Sequence, residues 1–285
     1  TKGAFMGLRV NTNIASLTAQ RHMSVVTNRL QGNYSRLASG LRIASAADDA
    51  AGLAISEKMR SQIRSYTVAS RNAQDGISLA QSAEGALGEV SNILGRMREL
   101  AMQSSNGTLS DEDRTTVDAE FQAMISEIDR ISSQAQFNDI NLLDGSATTL
   151  SMQIGLNSGE SIILNLADLR PDNASGLNLT VSGNALDVST SANAEIALGR
   201  LDAAITYTNS SRGDLGAQQN RMESSLRSIQ SAKENLSAAE SRIRDVDVAS
   251  ESADLTRNSI MQQASVSILQ QANTQPQIAL SLLQG

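Results

Sequence analysis

The chain has 285 residues, of which 40% are hydrophobic but only 2% aromatic, with no Trp, no Cys, a single His and a formal net charge of −7. Zero Cys and one His exclude disulfides, thiolate metal sites, Cys nucleophiles and multi-His metal sites, and the acidic balance opposes bulk attraction to nucleic acid or to an anionic membrane. Without large rings the interior must be built from Leu, Ile, Val, Met and Ala, which suits thin interfaces between helices, and 2 prolines leave long helices unbroken.

The first helical segment has Val26, Leu30, Tyr34, Leu37 and Leu41 at steps of 4, 4, 3 and 4, which places them on one face. After a break from Ser39 to Asp49, a second helix is predicted from about Asp48 to Asn106. Ala83, Leu87, Val90, Leu94, Met97 and Ala101 form its seam. A continuous helix of that length would span on the order of 90 Å at ~1.5 Å per residue. The third helix has a start written in the sequence: Ser110 as N-cap, Asp113 as the capping-box acid, and Asp111 and Glu112 facing the positive end of the helix dipole. Its predicted seam is Val117, Phe121, Met124, Ile128, Ile131 and Ala135. The Asn106-Gly107 turn before it predicts that the second and third helices fold back antiparallel.

Between about 147 and 190 the period changes to two. Leu150, Met152 and Ile154, then Ile162, Leu164 and Leu166, alternate with polar residues around the loop GLNSGES, which predicts a β-hairpin. Leu177, Leu179 and Val181 predict a further strand or extended segment. From about Ala194, Leu201, Thr208, Leu215, Met222, Ile229, Leu236 and Ile243 repeat every seven residues, a narrow coiled-coil stripe. After Asp245 to Asp254 a last helix carries Leu255, Ile260, Ala264, Ile268, Leu269 and Ala272, and Pro276 is expected to interrupt it before the apolar tail IALSLL. The predicted fold class is mainly α: an elongated, long antiparallel helical bundle or coiled-coil rod with a small β-hairpin region. Both terminal segments are rich in Ala, Ser and Gln and stand apart from the bundle, so they need each other and neighbouring subunits to stay ordered.

Chemistry-bearing motifs are missing. Neither GxxxxGK[ST] nor GxGxxG nor a nucleophile elbow occurs, His22 lies in a polar helix-like stretch, and Asp48-Asp49 is a carboxylate pair of the kind any surface carries. No catalytic residue, cofactor or metal ligand is assigned, and the chain is not expected to be an enzyme. No run of about 18 apolar residues offers a membrane span. The N-terminus lacks the basic, then apolar, then small-residue order of a cleavable secretory signal.

Five segments, in order, carry a family resemblance: MGLRVNTNIASLTAQ (Met6 to Gln20), LASGLRIASAADDAAGLAISEKMRSQIR (Leu37 to Arg64), LGRMRELAMQSSNGTLSDEDR (Leu94 to Arg114), EIDRISSQAQFNDINLLDG (Glu127 to Gly145) and AAESRIRDVDVASES (Ala238 to Ser252). The sequence closely resembles bacterial flagellin in a minimal form. The resemblance implies an inner coiled-coil domain from residues 1–47 and 241–285, a helical rod domain over 48–240 with its hairpin around 147–190, and no outer variable domains. It implies a structural subunit that polymerises into the flagellar filament, extracellular and exported without a cleavable signal peptide. The implied self-assembly seam is Val26, Leu30, Leu37, Leu41, Leu255, Ile260, Ile268 and Leu269.

Implied partners are further copies of the chain, a flagellar export chaperone at 255–285, and the hook-junction and cap proteins. A host Toll-like flagellin receptor is implied through Arg96, Leu100 and Glu120, with Gly95 standing where recognised relatives often have Gln. The alternatives are a hook-filament junction protein of the same kind, or an intracellular coiled-coil scaffold. The scaffold explains the heptads but not the motifs.

Overall fold

The computed structural model describes residues 12–173, 176–181 and 184–284. The opening of the first family motif, Met6 to Asn11, lies outside the described residues. Among these residues five helices and three short antiparallel strand pairs occur.

Helix α1 spans Ile14–Ser39. Asn13 starts it by accepting the Ser16 N–H at 3.1 Å, and Gly40, at φ 72°, ends it in the left-handed conformation that glycine adopts without a Cβ clash. Helix α2 spans Ala50–Ser105. The Asp48-Asp49 pair has a structural use: Asp49 accepts the Gly52 N–H at 2.9 Å at the helix start, and Asp48 closes the preceding turn onto Ser45. Helix α3 spans Asp111–Gln134 and carries the full capping box between Ser110 and Asp113. Helix α4 spans Ser191–Arg244, and α5 spans Val248–Gln284.

Two boundaries differ from the sequence expectation. Helix α5 starts near Val248 rather than after Asp254, because the Asp247 carboxylate accepts the Ala249 N–H at 3.0 Å and so caps it. It also runs on through Pro276 instead of stopping there.

The strands are β1 (Gln136–Phe137) with β2 (Ile140–Asn141), β3 (Thr149–Gln153) with β4 (Ser161–Asn165), and β5 (Thr180–Val181) with β6 (Asn184–Ala185). The β3–β4 hairpin is the one the alternating residues predict, with Leu150 opposite Leu164 and Met152 opposite Ile162. The β1–β2 pair is not among the predicted strands. Its turn residues Asn138 and Asp139 both adopt positive φ, 49° and 62°, the geometry that a tight two-residue hairpin requires and that Asn and Asp tolerate.

The chain divides into two compact units, Thr1–Ser61 with Asn235–Gly285, and Gln62–Glu234. The division falls inside α2 and α4, not at the breaks between helices. In the 62–234 unit, Ala83, Leu87, Val90, Leu94, Met97 and Ala101 of α2 are all fully buried. They meet Phe121 and Ile128 of α3, Leu201 and Leu215 of α4, and Leu164 of the hairpin in one continuous core. The α3 seam runs through Val117, Phe121, Ile125, Ile128 and Ser132, so Ile125 and Ser132 take inner positions expected for Met124 and Ile131, which are half-buried.

Polar contacts set the helix directions in this unit. Arg96 reaches Glu120, and Arg114 reaches the Ser104 carbonyl, so α2 and α3 are antiparallel as the turn predicts. Buried Arg114 also donates to the Asn106 carbonyl, which satisfies C-terminal carbonyls that the end of α2 leaves open. Gln218 of α4 accepts the Asn165 N–H, and Asn72 of α2 donates to the Gln153 carbonyl, anchoring both strands of the hairpin. At Gly76 a Cβ would lie 2.8 Å from the Met222 sulfur and 3.2 Å from Met152 Cγ, so any larger residue there would make both methionines give way.

Candidate functional site

In the unit formed by the chain ends, α1 and α5 lie antiparallel along each other: Ser16 meets Asn273, and Asn33 meets Glu251. On α1 the contact face is Ser16, Ala19, Met23, Val26, Leu30, Asn33 and Leu37, with steps alternating 3 and 4. On α5 it is Glu251, Leu255, Asn258, Gln262, Ser265, Leu269 and Ala272, again at alternating 4 and 3. Both follow the heptad period of a two-helix coiled coil. Four of the seven residues on the α5 face are polar.

Hydrogen bonds hold both ends of this pair. At one end buried Asn33 donates to Glu251 Oε1 at 2.5 Å, and buried Asn258 donates to Asn33 Oδ1 at 2.9 Å. Arg36 stands 3.6 Å from the other Glu251 oxygen, so the carboxylate faces a cation as well as an amide. At the opposite end Asn13 Nδ2 donates to the Ala272 carbonyl and the Ser16 hydroxyl to Asn273 Oδ1, each at 2.7 Å. Beyond α1 the chain is clasped to the start of α5: Leu41 bridges Asp245, Val246 N–H donates to the Gly40 carbonyl at 3.0 Å, and Arg42 N–H to the Arg244 carbonyl at 2.7 Å. Arg244 then donates to Glu57 at 2.7 Å and, as that carboxylate's main partner, holds its pKa below the usual range.

The structure sorts the eight sequence-predicted seam residues into four groups. Val26 and Leu30 are buried between α1 and α5. Leu37, Leu255 and Leu269 are half-buried along the same contact face, while Leu41 lies past the end of α1 in the clasp. Ile260 and Ile268 point outward, 61% and 60% exposed. Tyr34, expected on the inner face of α1, is 59% exposed, and Asn33 takes its place. The heptad needs a step of 3 after Leu30, and an apolar pattern takes a step of 4 to reach the larger side chain. Ile14, Leu17 and Val25 of α1 are also exposed, so each helix carries aliphatic residues outside the pair. His22 is exposed on α1.

Sequence reasoning misses Asn13, Ser16, Asn33, Glu251 and Asn258. A search for apolar periodicity passes over polar residues, although extending the alternating step from Val26 and Leu30 leads to Ser16 and Asn33.

The second group of predicted residues lies in the 62–234 unit. Arg96 donates to Glu99 at 3.0 Å and to Glu120 at 3.1 Å, and these two carboxylates, Glu99 first, raise its pKa. All three side chains are exposed, so the pairs contribute little to stability. Leu100 is only 2% exposed and belongs to the core beneath them. The structure brings Arg96 and Glu120 together on the surface and leaves Leu100 inside.

No helix among the described residues is long and apolar enough to cross a membrane. Comparison with known proteins agrees with the motif pattern. Residues 10–148 match the family model for the bacterial flagellin N-terminal helical region, and residues 198–283 match that for its C-terminal helical region. A flagellin of Halalkalibacterium halodurans is 48% identical over 96% of this chain and 99% of its own. The flagellar filament 30.7 kDa core protein of Treponema maltophilum is 45% identical over the same shares, 96% and 99%. Among solved structures, Bacillus cereus flagellin is 34% identical, covering 60% of this chain and 94% of that one with a TM-score of 0.49. Two family models flanking strands β3 to β6, and near full-length identity well above chance, lead to one conclusion: the chain belongs to the bacterial flagellin family.

Proposed function

We propose that this protein is the structural subunit of a flagellar filament, and that the α1–α5 pair is the part through which copies assemble. The observation that carries the reading is the pair's inverted packing, with Ile260 and Ile268 outside and Glu251 and Asn258 inside. An isolated helix pair gains by burying its aliphatic residues, and each Leu or Ile removed from water contributes roughly 1.5–3 kcal/mol. Neighbouring copies would supply the burial that the single chain leaves unused. The seam for assembly is then chiefly Ile260 and Ile268, with Val26, Leu30, Leu37, Leu255 and Leu269 holding the pair together within a subunit. On this reading the inner domain comprises the two chain ends and the rod domain the region between.

The test is seeded growth. Purified chain added to sheared filament ends should elongate them, and Ile268→Ser should remain helical in solution yet fail to elongate. Normal tubes from Ile268→Ser by electron microscopy would overturn the assembly surface.

The same reading makes the protein structural rather than enzymatic, located in the extracellular filament, and met on its way by an export chaperone at 255–285 and then by the hook-junction and cap proteins. Pull-down of the chaperone by the full chain, lost on deleting 255–285, tests that part. For a Toll-like flagellin receptor, the exposed Arg96–Glu120 pair is the contact we favour, with Leu100 supporting α2 from beneath. Arg96→Ala should lower signalling in a receptor-reporter assay, and unchanged signalling removes the proposal.

A further inference from the structure

Pro276 lies within α5, and a proline has no N–H to give to the carbonyl four residues earlier. That carbonyl belongs to Ala272, a residue buried on the face of α5 that meets α1. An unpaired carbonyl in such a place costs much of its lost hydration, so the helix needs a donor from elsewhere. Asn13 provides it: its Nδ2 donates to Ala272 O at 2.7 Å, while its Oδ1 accepts the Ser16 N–H at 3.1 Å and caps α1. One amide therefore closes the start of one helix and the gap in the other.

We infer that Asn13 and Pro276 form a positioning lock that fixes how α1 and α5 pair. The proline makes an acceptor at a single point on α5, and the first capping residue of α1 fills it. No other carbonyl in the interior of α5 is freed by a proline, since the only other proline of the chain, Pro171, lies elsewhere. The lock selects both register and rotational phase, which a seam containing Gln262 and Ser265 specifies weakly. Polar residues in coiled-coil seams act in the same way, setting alignment at some cost in stability. The Asn33–Glu251–Asn258 bonds hold the same phase at the far end. Ile260 and Ile268 are thereby kept outward, and the value of this for assembly rests on the proposed function.

A double-mutant cycle tests the lock in the full chain. Asn13→Asp keeps the oxygen that caps α1 but removes the donor, and Pro276→Ala restores an N–H for the Ala272 carbonyl. The reporter is the intramolecular disulfide between Ser16→Cys and Asn273→Cys, whose parent side chains touch at 2.7 Å, in a sequence with no other Cys. With Pro276 present, Asn13→Asp should lower the initial rate of that disulfide about tenfold, the factor that one unsatisfied carbonyl corresponds to. In the Pro276→Ala background it should lower the rate little or not at all. Equal losses in both backgrounds, no loss in either, or no preference in the parent for Asn273→Cys over Gln271→Cys on the opposite side of α5 would overturn the lock. Seeded elongation of the same chains without the cysteines is read separately, so failure of assembly and failure of the lock are distinguishable.

Discussion

The two units of this protein use the same heptad period to opposite ends. In the 62–234 unit the α2 stripe from Ala83 to Ala101 is apolar at every step and fully buried. In the terminal unit the pair of α1 and α5 puts Asn33, Glu251 and Asn258 inside and leaves Ile260 and Ile268 outside. The lesson is that periodicity states which residues share a face, whereas burial depends on what else the chain supplies to cover that face. Unit 62–234 brings a third helix and a hairpin to its stripe. The terminal pair has only two helices, and its specificity comes from hydrogen bonds.

The largest test of this contrast is Phe121→Ala. Its fully buried ring touches the shared core, and the variant should lose about 3–5 kcal/mol in denaturant unfolding followed by circular dichroism. Leu30→Ala, in the terminal pair, should cost less, about 2 kcal/mol, and only there. Hydrogen exchange should rise across α1 and α5 and stay unchanged at Leu87 and Leu94. Exchange that rises equally in α2 and α3 would merge the two units into one cooperative block and remove the comparison. Ile268→Ser should alter monomer stability by no more than about 0.5 kcal/mol, since its side chain is exposed, while stopping elongation.

Much of the 62–234 unit is legible in the sequence because each decision there is local or apolar. Ser110 and Asp113 name the start of α3, the alternation around Leu150 and Ile162 names the hairpin, and the sevenfold repeat names α4. The terminal pair is half legible. Val26 and Leu30 are buried between α1 and α5 while Tyr34 and Ile268 stay exposed, because the polar contacts that set the inner face leave no apolar signal in the sequence. Pro276 misleads for a related reason. Proline removes one helical hydrogen bond, and the donor that reaches the freed carbonyl here is 259 residues away in the chain.

The smallest expected effect is acid dependence, which touches both units. Asp113 is held below the usual carboxylate range by the Ser110 hydroxyl and backbone N–H, and Glu57 by Arg244 and Arg60. Both carboxylates bind protons less readily when folded than unfolded. Their stabilisation is thus complete above their ordinary pKa and declines as pH falls through the depressed folded values. Both are exposed, so the fall should be slight. Glu57→Gln should flatten the acid limb of exchange in the terminal unit, and Asp113→Asn that at the start of α3. An unchanged limb in either variant would show that its ion pair or cap does not form in solution.

The helical class, the start of α3, the hairpin and the family are written in the sequence, because capping, period and motif order are properties of neighbours along the chain. Which face of each terminal helix turns inward is set by long-range packing. That choice depends on Asn13 meeting Ala272 and Asn33 meeting Glu251, contacts between residues more than two hundred positions apart whose polar side chains carry no periodic apolar signal.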